Sequence, residues 1–445
     1  MRPQVNFESP EGLPAPPDFR TANPAASEDG IYAKVTRRLV GFLFVCFIFA
    51  FLDRINVGFA KIGMQADLGF SEAVFGLGAG IFFVSYFLLE VPSNLLLGRF
   101  GARRWIARIM VTWGLLSMAT MFVRTPAHFY ALRLLLGAAE AGFFPGVMLY
   151  LTQWYPADRR GRVITLFMAA IPVSSIFGSP LSGWILRAFD GQGGMAAWQW
   201  LYLVEGIPAV LLGLITLRYL PDTIAQAKWL SPGERHLLQQ RVASDAQHAS
   251  AHRMRDAFRS PLVWLLAFIN FAFLCGITLA FWMPSMLRNA GVKSTVEIGW
   301  MVAIPYVVAV IGMLVLGRTS DASGERRWHS ALPGFAAAAG LAVMPWTLDN
   351  PTLLLAASTV AIGCNVVANA LYWNLPTAFM SGAAAAVGLA FVNAFGQIAG
   401  FASPSVFGWL FATTGSASLG LCVLAACLAL GSIAVLLMPA QAVNR

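Results

Sequence analysis

Charge is what this chain has least of. Of 445 residues only 11% are Asp, Glu, Lys or Arg, against 58% apolar, a balance that excludes a soluble globular domain of ordinary composition. Its five cysteines, Cys46, Cys275, Cys364, Cys422 and Cys427, fall within apolar runs and lack metal or disulfide spacing, so they read as small buried hydrophobes. Histidine is equally sparse. His236, His248 and His252 share one polar stretch and His128 lies at the edge of an apolar run, so the apolar segments offer no nucleophile with its base and no zinc set. An enzyme is therefore not expected, nor is a cofactor. Short alternating strands are missing too, which excludes a closed barrel.

What the chain has instead is a succession of apolar runs about 20 residues long, enough to cross a hydrocarbon layer of roughly 30 Å as helices. The expected spans are 39–60, 74–97, 105–123, 127–152, 163–187 and 198–220, then 262–287, 297–317, 330–348, 352–376, 385–411 and 416–438. The expected fold is an all-α integral membrane protein of about twelve transmembrane helices. Residues 1–36, rich in Pro and polar residues in EGLPAPPDF and ANPAAS, read as a disordered tail. The first apolar run begins after Lys34, Arg37 and Arg38 and is longer than a signal-peptide core, so cleavage is not expected.

The net charge of +9 does not indicate nucleic acid, because the basic residues mark one side of the lipid bilayer. Arg99, Arg103, Arg104 and Arg108 follow span two, Arg159, Arg160 and Arg162 follow span four, and Arg326 and Arg327 follow span eight. The opposite loops hold few, such as Lys61, Arg124 and Lys293, which by the positive-inside rule places both termini in the cytoplasm of an inner membrane.

Residues 221–260 form the longest polar stretch between spans and divide the chain into two six-helix bundles, 37–220 and 261–440. Within that linker SPGERHLLQQRV predicts a helix with Ser231 as N-cap, Pro232 at its first position and Glu234 closing a capping box. The halves repeat. NLLLGRFGARR after span two aligns with GRTSDASGERR after span eight, so that Gly101, Arg103 and Arg104 match Gly324, Arg326 and Arg327; FGSPLSGW in span five matches FASPSVFGW in span eleven. A duplicated six-helix unit suits two bundles that rock about a central site.

These features resemble the major facilitator superfamily over nearly the whole chain. The resemblance implies that the loop motif braces a gate, through Gly317, Asp321, Gly324, Arg326 and Arg327 in the second copy and Arg99, Gly101, Arg103 and Arg104 in the first. The first copy departs from the pattern, with Asn94 in place of the leading Gly and Gly98 where the acid belongs.

Four charges interrupt the apolar spans of the first half: Asp53 and Arg54 in span one, Arg133 and Glu140 in span four. Each costs roughly 2.5 to 3.5 kcal/mol at mid-membrane on insertion scales, so it persists where it meets a partner, an ion or a substrate. Seven helical residues turn about 700°, which puts Arg133 and Glu140 on nearly one face with Gly137 between them. Asp53 and Arg54 point about 100° apart, so at most one looks straight into a pathway while the other meets a neighbouring helix. Tyr86 adds a hydroxyl and Glu90 lies one turn along its face. The four charges suit structural ion pairs, but intramembrane ionisable residues mark pathways or proton relays by default, which favours a water-filled site in which two guanidinium forks hold a carboxylate while two acids exchange protons.

LDRINVGFA, SYFLLEVPSN, RLLLGAAEAGFFPG and YWNLPTAFMSG resemble the anion:cation symporter family, and most of all its tartrate, phthalate and hydroxyphenylacetate permease branch. That resemblance implies proton coupling at Asp53 and Glu140, and binding or organisation of the anion by Arg54, Tyr86 and Arg133. Ile171 and Pro172 stand where the sugar-acid members place a polar contact, which disfavours a long polyhydroxy acid. In the second half Asn393 and Gln397 share a face, as do Asn365 and Asn369, and Tyr372 precedes the polar step Trp373–Asn374. These amides suit substrate contact or interhelical hydrogen bonds alike, with Asn393 and Tyr372 the foremost candidates. Gly137, Gly142 and Gly146 read as close-packing positions. The expected function is proton-coupled uptake of a small organic carboxylate by a monomer; efflux on the same fold and a membrane nutrient sensor are the alternatives.

Overall fold

The computed structural model describes residues 28–247, 260–379 and 382–444, and every regular element among them is helical. In lipid a backbone N–H or C=O has no water to bond, so each spanning segment must satisfy its own, which a helix does. The first half comprises α1 (Glu28–Val35), which continues through a π turn into α2 (Gly41–Leu68), then α3 (Glu72–Phe100), α4 (Ala102–Ala119), α5 (Pro126–Glu140), α6 (Phe143–Thr152), α7 (Ala157–Met168), α8 (Ala170–Ala188) and α9 (Ala197–Tyr219). The linker carries α10 (Pro232–Gln247). The second half comprises α11 (Pro261–Leu274), α12 (Thr278–Asn289), α13 (Thr295–Ser323), α14 (Arg327–Val343), α15 (Pro351–Tyr372), α16 (Asn374–Phe379), α17 (Gly382–Thr414), α18 (Ser418–Leu437) and α19 (Ala440–Val443).

Among the described residues ten helical stretches are long and apolar enough to cross a membrane. Of the remaining two expected spans, one is α14, only 17 residues long before a 3-10 turn at Met344–Trp346, and the other is α17. Leu88, Val91 and Leu95 on α3 and Leu211 and Leu214 on α9 are exposed, the arrangement lipid-facing positions require.

Three sequence expectations need correction. Residues 28–35, assigned to the disordered tail, form a helix whose Ile31, Tyr32 and Val35 are buried; Tyr32 packs on Tyr155 at 5.6 Å and Arg159 holds Asp29 at 2.7 Å. Two acids and a spaced apolar stripe gave that segment something to bury, and the rest of the expected tail, 1–27, lies outside the described residues. Lys61, counted as a loop residue, belongs to α2 and is 1% exposed. Span four is broken: α5 ends at Glu140, Ala141 is extended, and Gly142 takes φ +86°, a left-handed conformation glycine adopts without a Cβ clash.

The internal repeat is visible in contacts. Gly101 and Gly324 both take positive φ, and the backbone N–H of Arg103 donates to Asp222 Oδ1 at 2.8 Å just as that of Arg326 donates to Asn444 Oδ1 at 2.9 Å. The acid missing from the first motif is thus supplied by Asp222, which also holds Arg103 Nε at 3.4 Å, whereas Asp321 pairs with Arg326 at 2.5 Å inside the second. Arg327 donates to the Leu436 carbonyl, Arg99 lies over the Phe100 ring at 5.8 Å, and Arg104 is exposed. The halves meet along matching seams: a methyl at Gly76 would lie 2.5 Å from the Pro404 carbonyl, and one at Gly299 would lie 2.5 Å from the Ser179 carbonyl. In the linker Ser231 Oγ accepts from Glu234 N at 3.2 Å and Glu234 Oε2 accepts from Ser231 N at 2.7 Å, the reciprocal capping box the sequence predicts. His248 and His252 fall outside the described residues.

Candidate functional site

The break after Glu140 and the close approach at Gly137 set the geometry of the charged cluster. A side chain at Gly137 would collide with the Phe82 carbonyl and Ser85 Oγ, so glycine there lets α5 lie directly on α3. Ser85 Oγ strengthens the contact by donating to the Leu134 carbonyl at 2.6 Å. Gly142 and Gly146 likewise face Ser93 and Leu97, in keeping with packing positions.

Arg54 reaches across from α2 and donates Nε at 2.7 Å and Nη2 at 2.6 Å, both to Oε1 of Glu140. The second oxygen, Oε2, is buried with no hydrogen-bond partner. The guanidinium also lies over Tyr86 at 4.8 Å and Phe82 at 5.5 Å. Its side chain keeps 14% exposure while that of Glu140 keeps 1%. Arg133 also lies against Phe82, 5.0 Å from the ring centroid, and donates Nε to the Gly78 carbonyl at 3.1 Å. It is 2% exposed, so of the two guanidinium groups expected to face a water-filled site only Arg54 has access in this conformation. The Phe82 ring packs against its guanidinium.

Asp53 turns the other way, as the 100° offset between adjacent helical residues requires. Its Oδ2 accepts from Trp113 Nε1 at 2.9 Å, and its Oδ1 accepts from Asn56 Nδ2 at 3.2 Å and from Ser117 Oγ. Asp53 is 3% exposed and is held by Trp113 and Ser117 of α4.

From the second half, Asn393 Nδ2 approaches Glu90 Oε1 at 3.5 Å, the polar contact that joins α17 to α3 nearest the cluster. Gln397 is half-buried one turn along α17. Tyr372 is placed elsewhere: it is fully buried, donates its hydroxyl to the Leu266 carbonyl at 2.8 Å, and packs edge-on against Phe273. In this conformation its hydroxyl is committed to holding α11 against α15. Asn365 sits against Gly276.

Two polar groups escaped the sequence reading. Glu205 in α9 is 3% exposed and accepts from Ser182 Oγ at 2.6 Å; a lone acid in an apolar span was the signal, and it is the same signal that marked Glu140. The other is a junction between the halves. Lys61 Nζ lies 2.6 Å from Glu72 Oε2, donates to Ser285 Oγ at 3.1 Å and sits over the Trp282 ring at 4.8 Å, while Trp282 Nε1 donates to Glu72 Oε2 at 2.6 Å. No group of three or more His, Cys, Asp or Glu among the described residues could hold a metal.

Comparison with known proteins agrees with this architecture. Residues 43–404 match the Major Facilitator Superfamily. The chain is 47% identical over 418 residues to the "Putative metabolite transport protein NicT" of Pseudomonas putida, covering 93% of this chain and 96% of that protein. It is 45% identical to a "Putative tartrate transporter" of Agrobacterium vitis, over 92% of this chain and 95% of the relative. A "Quinolone resistance transporter" of Acinetobacter baumannii is 39% identical over 91% and 94%. The crystal structure of D-xylose-proton symporter superposes with a TM-score of 0.73 over 92% of this chain and 98% of that one; at 15% identity the two share the fold alone.

Proposed function

The chain belongs to the Major Facilitator Superfamily and is a multi-pass membrane transporter rather than an enzyme, and from that premise we propose that it takes up a small organic carboxylate together with protons. The observation that carries the proposal is the grip of Arg54 on one oxygen of Glu140 while the other has no donor. That pairing uses the arginine without satisfying the acid, so a proton on Glu140 releases the guanidinium and a substrate carboxylate can take both of its N–H groups side by side. Loaded with anion and proton, the site closes around neutralised charge, which costs less than closing around bare ions. Arg133, buried against Phe82, adds positive charge close to the site, and the Tyr86 ring packs on the Arg54 guanidinium. Asn393 and Gln397 contribute polar contacts from the opposite half. The relative named for tartrate supports a hydroxy-dicarboxylate as cargo. The distribution of Arg and Lys supports an inner-membrane orientation with both termini cytoplasmic, and a single copy contains all the residues invoked, consistent with a functional monomer.

Proteoliposomes test this reading. Arg133→Ala abolishes uptake, and Glu140→Gln loses accumulation driven by a proton gradient but keeps tartrate exchange; full gradient-driven accumulation by Glu140→Gln refutes the coupling assignment. The second reading is extrusion, favoured by the relative named for quinolone resistance. Movement of labelled tartrate into or out of intact cells separates the two.

A further inference from the structure

The interior of the first half holds an acid that the scheme above leaves unused. Glu205 projects from α9 into the space between α2, α8 and α9, and its Oε1 accepts from Ser182 Oγ at 2.6 Å. Its Oε2 is buried without a partner, and no Lys, Arg or His among the described residues forms an ion pair with it. An ionised carboxylate in such a place forfeits its hydration and receives almost nothing in return, whereas a protonated one becomes a neutral donor at the oxygen that now lacks a partner.

Asp53 provides the contrast. It is equally buried, yet three donors reach it, from Trp113, Asn56 and Ser117, which is the environment a carboxylate anion needs. Asn56 is close to both acids. Its Nδ2 donates to Asp53 at 3.2 Å, it is a neighbour of Glu205 with which it makes no hydrogen bond in this conformation, and its own Oδ1 has no donor. Among the described residues the other charged or titratable groups close to this pair are Arg133 and Glu140 from α5 and Tyr202 from α9, whose hydroxyl is also unpartnered. Arg54 is paired with Glu140, which leaves buried Arg133 with two buried acids, Asp53 and Glu205, so the charge balances here when one of those acids is neutral. Glu90, the fourth acid nearby, is less buried and faces Asn393 across the seam between the halves.

We propose that Asp53 and Glu205, neighbours of the same Asn56, form one proton-binding pair whose proton rests on Glu205 in this conformation. Interacting acids titrate as a pair, so a change at either one is felt by the other. The place of this pair in a transport cycle rests on the coupling role proposed above; the proton on Glu205 does not.

Infrared spectroscopy of the purified protein without substrate reads that proton directly, through the carbonyl stretch of a protonated carboxyl group. The expected result is a band lost in Glu205→Gln, retained in Asp53→Asn, and moved to higher frequency in Ser182→Ala. A band that survives Glu205→Gln, or that disappears in Asp53→Asn instead, overturns the proposal. Should Glu205→Gln fail to fold, Ser182→Ala decides, since a band it leaves unmoved does not arise from Glu205. In proteoliposomes Glu205→Gln shifts the pH profile of uptake, and an unchanged profile overturns the pairing with Asp53. A wild-type protein that shows the band but moves no organic anion refutes the transport reading and leaves the proton on Glu205 standing.

Discussion

Arg54 gives two N–H groups to a single oxygen of Glu140, at 2.7 and 2.6 Å, and leaves the other oxygen of that carboxylate bare. A side-by-side fork would engage both oxygens and bind more tightly, so this arrangement suits an ion pair that must come apart.

Replacing Arg54 with Lys keeps the charge and removes the fork. Hydrogen bonds to charged groups contribute roughly 1.5 to 3 kcal/mol, so losing one of two should weaken substrate affinity by about 10- to 100-fold. Substrate-induced thermal shifts with tartrate measure it; an unchanged affinity would mean that Arg54 does not touch the anion.

Gly137→Val should be among the most damaging apolar substitutions in the first half. Its side chain meets the Phe82 carbonyl and Ser85, backbone and packed hydroxyl that cannot move aside cheaply. Overpacking of this kind costs about 1 to 3 kcal/mol, visible as a lowered Tm in detergent and reduced yield.

Lys61 is the hinge pin of the junction with Glu72, Ser285 and Trp282. Lys61→Met removes the charge and leaves Glu72 with Gln65 and Trp282 alone, so the two halves should part at that end. Spin labels at Ala66 and Asn289, both exposed, should report a longer distance in the variant; an identical distribution would show that the contact does not hold the halves together.

Acid should loosen the linker helix before the bundles. Burial raises the carboxyl value of Glu234, but the Ser231 backbone N–H, Lys34 at 3.0 Å and the Ser231 side chain outweigh it and hold the group below its ordinary value of 4.5. Because the folded value is depressed, the stabilisation is complete above about 4.5 and disappears as pH falls through the folded value. Hydrogen exchange of α10 amides should accelerate over that range in the wild type, and Glu234→Gln should exchange quickly already at neutral pH.

Much of this was readable from the residues because membrane burial makes a few patterns decisive. The spans followed from run length, the two halves from the repeated GARR and GERR loops, and the divergence of Asp53 from Arg54 from a helical turn of 100° per residue. What escaped depended on tertiary partners. The break after Glu140 needs Ser93 close to Gly142; the Phe82 ring packs on Arg133; and Lys61 reads as a loop residue until Glu72 and, from the other half, Trp282 are brought beside it. Tyr372 was singled out for its hydroxyl, and only the packing of α11 reveals the Leu266 carbonyl that occupies it.

Asn444 accepts from the Arg326 backbone and donates to Glu325 at 3.3 Å, so the segment after α18 acts as a clasp on a loop more than a hundred residues upstream. Anyone appending a purification handle or a fluorescent reporter there should leave that asparagine and a flexible spacer in place. Trimming it away would free the loop motif whose counterpart, in the first half, is clasped by Asp222.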